Sequence, residues 1–228
     1  MERRIESKAI VLNGRDIGES HRLLTLFTLE LGKLKVMAYG AKRSKRRFQN
    51  ALEPFTYGAA QIKPCRNETI HTLEAFAPMD TFPEIRREIL KYTCAGLACE
   101  LVELWTRENN REKELFDLLT WFLGVLGKGQ EPYRITLFFK ARLLAIVGYG
   151  PDWARFQGST HHISLATLKS LAYIQAAPME KIERLRIARP HMREAWALLK
   201  AMHTRHLEKE PNSYNVLRQM AQGGLQPH

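Results

Sequence analysis

The sequence has few of the features that mark exported, membrane-spanning or disulfide-bonded proteins. Its 228 residues include three cysteines, Cys65, Cys94 and Cys99, which are too few and too unevenly spaced for a disulfide framework. No apolar run approaches the roughly 18 residues that a transmembrane helix needs. The first residues carry charges of both signs where a secretory signal would have an apolar core. We therefore expect an intracellular protein of the reducing cytoplasm.

Sequence signatures of catalysis and of metal binding are also missing. There is no Walker-type phosphate loop, no Gly-x-Ser-x-Gly nucleophile turn and no grouping of Asp and Glu of the kind that two-metal nucleases need. His161 and His162 are adjacent and would point to opposite faces of a strand. His203 and His206 could share a helix face, but no carboxylate or cysteine completes a metal site. The sequence predicts a protein that is not an enzyme and holds no metal or cofactor, with a nuclease or ligase-like fragment as the alternative.

Positive charge is what the sequence has in excess. The formal net charge at pH 7 is +11. The segment Leu31–Leu52 contains seven basic residues and no acidic residue, so the charge is concentrated locally. A concentrated basic field favours a polyanionic partner.

Residues 8–76 have the pattern of a small β-structure. Short runs of strand-forming residues alternate with turn residues such as Asn13-Gly14 and Leu31-Gly32. Five short strands in so few residues favour a closed barrel. In the third strand, alternation predicts that Leu34, Val36 and Ala38 face the core. The predicted strands are Lys8–Leu12, Arg22–Thr28, Lys33–Tyr39, Phe55–Lys63 and Thr69–Phe76.

From about residue 80 the apolar residues recur at helical spacing. A first helix has Pro83 in its opening turn, and a third ends at Gly148-Tyr149-Gly150-Pro151, which is a strong helix terminator. We therefore predict an α+β protein with two domains, a barrel at residues 1–80 and an α-helical domain at residues 81–228. The remaining predicted helices cover residues 111–126, 132–147, 164–176 and 190–209, with a short final helix after Pro211.

The strongest candidate for function is the stretch from Tyr39 to Phe48, hereafter the basic segment. It has five cations in the six positions Lys42–Arg47 and an aromatic ring at each end. Mobile cations bind phosphates through counterion release, and aromatic rings can stack on unpaired bases. The bland alternative is a solvated basic loop, with Phe48 serving only to anchor it to the core. Phosphates occur in DNA and RNA alike, so an RNA-binding adaptor that uses the same barrel remains the alternative function.

A second candidate lies on the helix that begins near Pro132. Here Arg134, Lys140 and Arg142 alternate with apolar bulk that includes Phe138 and Phe139. This pattern fits either a core helix with a basic edge or a groove for an acidic, apolar-tipped peptide of a partner protein. The predicted partner-binding residues are Arg134, Phe138, Lys140 and Arg142.

Several stretches together carry a family resemblance. They are Lys8-Ala9-Ile10-Val11-Leu12, Gly18-Glu19, the run from Leu24 to Gly32, Tyr39 to Ser44, Leu52-Glu53-Pro54-Phe55, Glu100-Leu101 and Leu144 to Asp152. Over roughly residues 5–153 these motifs resemble the bacterial recombination-repair mediator family RecO.

The resemblance implies an N-terminal OB-fold barrel and a helical C-terminal domain. It implies binding of single- and double-stranded DNA, annealing of complementary strands, and help in loading RecA onto coated DNA. The implied partners are RecR, the C-terminal tail of single-strand binding protein and, indirectly, RecA, in a cytoplasmic protein associated with the nucleoid. The candidate DNA-binding residues are Arg22, Lys33, Lys35, Tyr39, Lys42, Arg43, Lys45, Arg46, Arg47 and Phe48.

The sequence departs from the family pattern at one point. Many members carry four zinc-binding cysteines just after the Gly-Tyr-x-Pro-Asp turn, whereas no cysteine follows Asp152 here. Without thiolates the chain cannot build that site, so we expect no structural zinc.

Overall fold

The fold is a β-barrel followed by helices, which confirms the predicted α+β class. The computed structural model describes residues 4–48, 51–65, 69–156 and 163–222, apart from the side chains of Lys45, Ala221 and Gln222. The strands are β1 (Ile5–Ile17), β2 (His21–Thr28), β3 (Gly32–Ala38), β4 (Tyr57–Lys63) and β5 (Ile70–Asp80). The helices within these ranges are α1 (Lys45–Phe48), α2 (Pro83–Arg87), α3 (Ile89–Trp105), α4 (Lys113–Gly127), α5 (Pro132–Ile146), α6 (Leu165–Ala176), α7 (Met179–Ile182), α8 (Arg189–His206) and α9 (Asn212–Gln222).

The five strands close in the order β1-β2-β3-β5-β4, and β4 pairs back with β1. All neighbours are antiparallel except β3 and β5, which pair in parallel over Lys35–Met37. A five-stranded barrel of this topology is the OB-fold. Strand β3 alternates as predicted, with Leu34, Val36 and Ala38 buried inside the barrel.

Strand β1 is longer than the sequence pattern suggested. Asn13-Gly14, predicted as a turn, lies inside β1, where the register with β2 shifts between Val11 and Asn13. A β-bulge of this kind absorbs an extra residue without ending the strand. The chain turns later, at Gly18, whose φ of +58° lies in the left-handed region.

The helices share one apolar core with residues of β1 and β2 of the barrel. Ile10, Leu12 and Phe27 of the strands belong to the same buried apolar cluster as the inner faces of α3, α4 and α5. The ring of Phe27 lies 5.8 Å from that of Phe116 on α4. Burial of this continuous apolar surface is what holds barrel and helices together.

One backbone contact at this junction has no room for a side chain. Gly32 has φ +72°, and a Cβ placed there would lie 1.8 Å from the carbonyl oxygen of Asn110. The β2–β3 turn can approach the α3–α4 connection only because residue 32 is glycine.

The cysteines are free thiols with different surroundings. Cys94 and Cys99 lie on α3 and are buried, whereas Cys65 follows β4 and is partly exposed. Burial raises the pKa of the Cys94 thiol to about 12, and burial raises that of Cys99 as well. Among the described residues, no helix combines the length and the apolar character that crossing a bilayer demands.

Candidate nucleic-acid interface

The outer face of β3 carries two lysines that serve different purposes. Lys35 is exposed, and its Nζ lies 2.7 Å from Glu108. Lys33 instead turns toward the helices, where its Nζ donates to the carbonyl oxygens of Glu103 at 2.5 Å and Thr106 at 2.6 Å. Burial lowers the pKa of Lys33. Lys33 thus caps the end of α3, and we leave it out of the proposed surface.

Tyr39 stands at the end of β3 with 52% of its surface exposed. Its ring meets the edge of the His21 ring at a centroid distance of 5.4 Å. The Nδ1 atom of His21 accepts a hydrogen bond from the amide of Gly40 at 2.9 Å. His21 therefore orients both the ring and the start of the basic segment, a role that no sequence motif indicated.

The basic segment is ordered by its backbone rather than being a loose loop. Gly40 has φ +66°, and its carbonyl oxygen accepts from the amides of Arg43 and Ser44, both at 3.1 Å. Arg47 donates to the carbonyl oxygen of Tyr39 at 2.8 Å and to the hydroxyl of Ser44 at 3.1 Å. The second half of the segment is the short helix α1, which carries Lys45, Arg46 and Arg47.

Phe48 anchors the C-terminal end of the basic segment in the barrel core. It is only 1% exposed and belongs to the barrel core, beside residues such as Leu52 and Phe76. A fully buried ring offers no face to a base, so the suggested stacking role of Phe48 is corrected in favour of an anchor. The guanidinium of Arg47 lies 5.0 Å above this ring from the solvent side.

Two further candidate cations, besides Lys35, are paired with carboxylates. Arg22 lies 2.5 Å from Glu53 and 3.4 Å from Asp16, and its side chain is largely covered. Lys42 lies 2.5 Å from the other oxygen of Asp16. The hydrogen bond from Lys42 lowers the pKa of Asp16. These four groups line a polar hollow beside Phe48, and their charges balance.

The remaining cations of the basic segment are available to a ligand. Arg43 reaches Glu19 only at 3.8 Å, with both side chains largely in solvent. Arg46 is exposed and forms no ion pair with a described residue. The side chain of Lys45 is not among those that the structure describes. The structure therefore places Tyr39, Lys42, Arg43, Arg46 and Arg47 in the segment that follows β3, whereas Lys35 lies on the outer face of β3 itself and reaches Glu108 of the α3–α4 connection.

Helix α5 does not present the expected groove. Arg134, Phe138 and Lys140 are all buried, which corrects their assignment to a partner-binding surface. Arg134 donates to the carbonyl oxygens of Glu183 at 2.8 Å and Leu185 at 2.9 Å. Half-buried Arg142 donates to the carbonyl oxygen of Gln175. These cations hold the segments around α6 and α7 in place.

Lys140 is the most enclosed cation among the described residues. It is 0% exposed, and its Nζ lies 4.1 Å from the ring centre of Trp196 and 5.0 Å from that of Tyr214, without a hydrogen-bond acceptor. Burial lowers its pKa well below the usual value. Two aromatic faces from α8 and α9 therefore replace water around this ammonium group.

Histidines do not gather into a metal site in the described part of the chain. His203 is buried between Trp105, which donates to its Nδ1 at 2.9 Å, and the carbonyl oxygen of Lys140, 3.1 Å from its Nε2. Burial lowers the pKa of His203 to about 3. Residues 4–48, 51–65, 69–156 and 163–222 contain no group of three or more His, Cys, Asp or Glu side chains arranged for a metal. His161 and His162 lie outside the described residues.

Comparison with known proteins decides the family. The model of the Recombination protein O N-terminal domain matches residues 1–82. The model of the Recombination protein O C-terminal domain matches residues 86–159 and 155–215. The chain belongs to the RecO family.

Individual relatives match the chain over part or nearly all of its length. The chain is 28% identical to the DNA repair protein RecO of Syntrophus aciditrophicus over 252 aligned positions, which cover 96% of this chain and 97% of the relative. It is 38% identical to the DNA repair protein RecO of Geobacter metallireducens over 143 positions, 63% of this chain and 58% of the relative. Membership in the RecO family supports a role in DNA repair and recombination.

Proposed function

We propose that the chain binds single- and double-stranded DNA with the basic segment and the outer face of β3. The observation that carries this proposal is the cluster of exposed cations at one end of a closed OB-fold barrel, beside a half-exposed tyrosine. Phosphates would bind Lys35, Lys42, Arg43, Lys45, Arg46 and Arg47, and Tyr39 would stack on an unpaired base. Arg22 would support the surface indirectly, by holding Asp16 and Glu53.

Annealing follows from the same electrostatics. A single cationic surface that holds two phosphate backbones offsets their mutual repulsion and leaves the base edges free to pair. No covalent bond is made or broken. As a mediator in the cytoplasm, near the nucleoid, the protein would act with RecR and with the tail of single-strand binding protein, and would help to load RecA. The tail would need a surface other than the α5 side chains, because those are buried.

The decisive experiment removes the positive charge of the basic segment. Lys42, Arg43, Lys45, Arg46 and Arg47 are replaced together by Gln, and the affinity for an oligothymidine is measured by fluorescence anisotropy at several salt concentrations. For the unchanged protein, roughly four to six phosphate contacts predict a slope of log affinity against log salt of about −3 to −4. The variant should bind at least about tenfold more weakly and with a flatter slope.

The chain offers a matched control for this variant. Lys181, Arg184, Arg186, Arg189 and Arg193 are exposed on α7 and α8 and the residues between them, and replacing these five lowers the net charge equally. The control should keep most of the affinity. Equal losses of affinity in both variants would show that binding depends on the net charge of the protein and not on the position of the cations. An unchanged slope in the first variant would place the site elsewhere.

Two further measurements separate the alternatives. Competition between DNA and RNA oligomers of matched sequence separates a DNA-binding mediator from an RNA-binding adaptor, because phosphates alone do not distinguish them. Annealing of complementary strands coated with single-strand binding protein tests the mediator role. Strong binding with no annealing of coated strands would contradict that role.

A further inference from the structure

Three aromatic rings meet on the surface of the helical part, at the ends of separate elements. Trp105 closes α3, Tyr149 follows α5, and His206 closes α8. The ring centres of Tyr149 and His206 are 4.4 Å apart, those of Trp105 and Tyr149 are 5.1 Å apart, and those of Trp105 and His206 are 6.4 Å apart. We call these three side chains the ring cluster. Tyr149 is 48% exposed, His206 is exposed and Trp105 is half-buried, so the cluster faces solvent.

The backbone under Tyr149 is held firmly. Its amide donates to the carbonyl oxygen of Leu144 at 2.8 Å, and Gly148, with φ +82°, donates to that of Ala145 at 3.1 Å. Gly150 packs so closely that a Cβ there would lie 2.8 Å from the Cα of Ala145. The turn therefore fixes the tyrosine backbone in place, with the left-handed glycine typical of helix ends.

Trp105 is also fixed. Its indole N–H donates to the buried His203 at 2.9 Å, so its polar edge points inward while the ring lies beside Tyr149. A rigid aromatic surface loses little conformational entropy when a flat ligand binds to it.

The ring cluster lies next to the DNA surface proposed for the barrel. Thr106, the residue after Trp105, accepts a hydrogen bond from Lys33 of β3, and the amide of Asn109 donates to the carbonyl oxygen of Lys33 at 3.0 Å. Lys35 reaches the same connection through Glu108. The outer face of β3 and the ring cluster are thus joined through the residues that directly follow Trp105.

The nearby charges suit a nucleic-acid ligand. Arg107 and Arg205 are exposed, and neither forms an ion pair with a residue that the structure describes. The nearest acid on the connection, Glu108, is already neutralised by Lys35. Rings flanked by cations are the combination that single-strand binding sites use.

We propose that the ring cluster is a second stacking site for unpaired bases, continuous with the surface on β3. This inference rests on the proposed function and deepens it, because stacking on rings requires bases that are not paired. Tyr149 provides the most exposed ring, and Trp105 and His206 pack against it at tilted angles that leave about half of its surface open.

The test compares a normal oligothymidine with an abasic oligomer that has the same number of phosphates. Binding of both to the full chain is measured for the unchanged protein, Tyr149→Ala and Tyr149→Phe. Tyr149→Ala should weaken binding of oligothymidine by about tenfold, as expected for one lost base–ring stack. It should leave binding of the abasic oligomer unchanged, and Tyr149→Phe should bind as the unchanged protein does. Tyr173→Ala, which removes another half-exposed tyrosine on α6, is the matched control and should change neither affinity.

A second readout does not depend on the alanine variant. Oligothymidine should quench tryptophan emission in the unchanged protein and should quench it much less in Trp105→Phe. Equal losses for both oligomers in Tyr149→Ala, or no loss for either, would overturn the inference. Quenching that persists in Trp105→Phe would also overturn it. If the unchanged protein binds neither oligomer, the proposed function fails; if it binds both with a steep salt dependence and no ring effect, only the ring cluster fails.

Discussion

The basic segment and helix α5 each combine aromatic rings with several cations, but the cations are stabilised in opposite ways. In the basic segment, water and a few surface carboxylates surround the charged groups, as at Arg43 and Lys42. In α5, carbonyl oxygens surround Arg134, and aromatic faces surround Lys140. A cation that is buried within its own protein is structural, whether carbonyl oxygens or only aromatic faces surround it, and a cation that faces water remains available to a ligand.

The sharpest way to break this comparison is to remove an α5 cation. Arg134→Ala deletes two hydrogen bonds to carbonyl oxygens and one to the side chain of Gln130. We expect the free energy of unfolding to fall by about 3 kcal/mol, because three acceptors lose a charged donor. Chemical denaturation measures it. Arg193→Ala, an exposed residue on α8, is the control and should change stability by less than about 0.5 kcal/mol. Similar small effects for both would mean that Arg134 is not structural.

The two rings that bracket the basic segment offer a second test. Phe48→Ala empties a site in the barrel core and should lower the free energy of unfolding by about 3 kcal/mol. Tyr39→Ala should leave stability nearly unchanged and should weaken binding of oligothymidine. Thermal denaturation and anisotropy measure the two effects. The comparison breaks down if Phe48→Ala retains stability, or if Tyr39→Ala leaves binding untouched.

Acid should destabilise the protein through His203, which is buried beside α5. The pKa of His203, which burial lowers to about 3, lies below that of a free histidine, about 6.5. Below pH 6.5 the unfolded chain takes up a proton that the folded chain refuses, so stability falls with falling pH until about pH 3. This one group should contribute a loss of about 2 kcal/mol between pH 6.5 and pH 5. His203→Gln should reduce the pH dependence by that amount in denaturation experiments, and an equally steep dependence in the variant would contradict the assignment.

The smallest expected effect separates the two lysines of β3. Lys33→Met should lower the free energy of unfolding by about 1 kcal/mol, because two carbonyl oxygens at the end of α3 lose their donor. Lys35→Met should leave stability unchanged and should reduce the salt dependence of DNA binding. If denaturation and anisotropy showed that Lys35 supports stability and Lys33 supports DNA binding, the distinction between the two lysines would be wrong.

Much of the barrel could be predicted because the alternation of side chains along a strand shows, within a few residues, which face is buried. The alternation of Leu34, Val36 and Ala38 is contained within seven residues, and the structure confirms it. The exposed cations of Lys42–Arg47 were visible for the same reason. The contacts of Lys33 could not be predicted from the local pattern. Its side chain lies outside the barrel but packs against the end of α3, some 70 residues later in the chain.

Helix α5 itself was predicted, but the burial of its cations could not be, for a related reason. Charged residues normally indicate a solvent face, and Lys140 would do so if only α5 were considered. Its aromatic neighbours Trp196 and Tyr214 come from α8 and α9, far along the sequence. Burial of a cation depends on partners that no local period reveals. The ring cluster was hidden in the same way, since each ring lies at the end of a different element.

Because the three thiols differ in burial, the chain can be labelled with a dye for spectroscopy without any substitution. Cys94 and Cys99 are shielded and kept protonated, whereas Cys65 is accessible at the end of β4. A maleimide dye should therefore attach at a single position without any cysteine being removed. Since that position belongs to the barrel, energy transfer to a dye on the oligonucleotide would report the distance and direction of the bound strand.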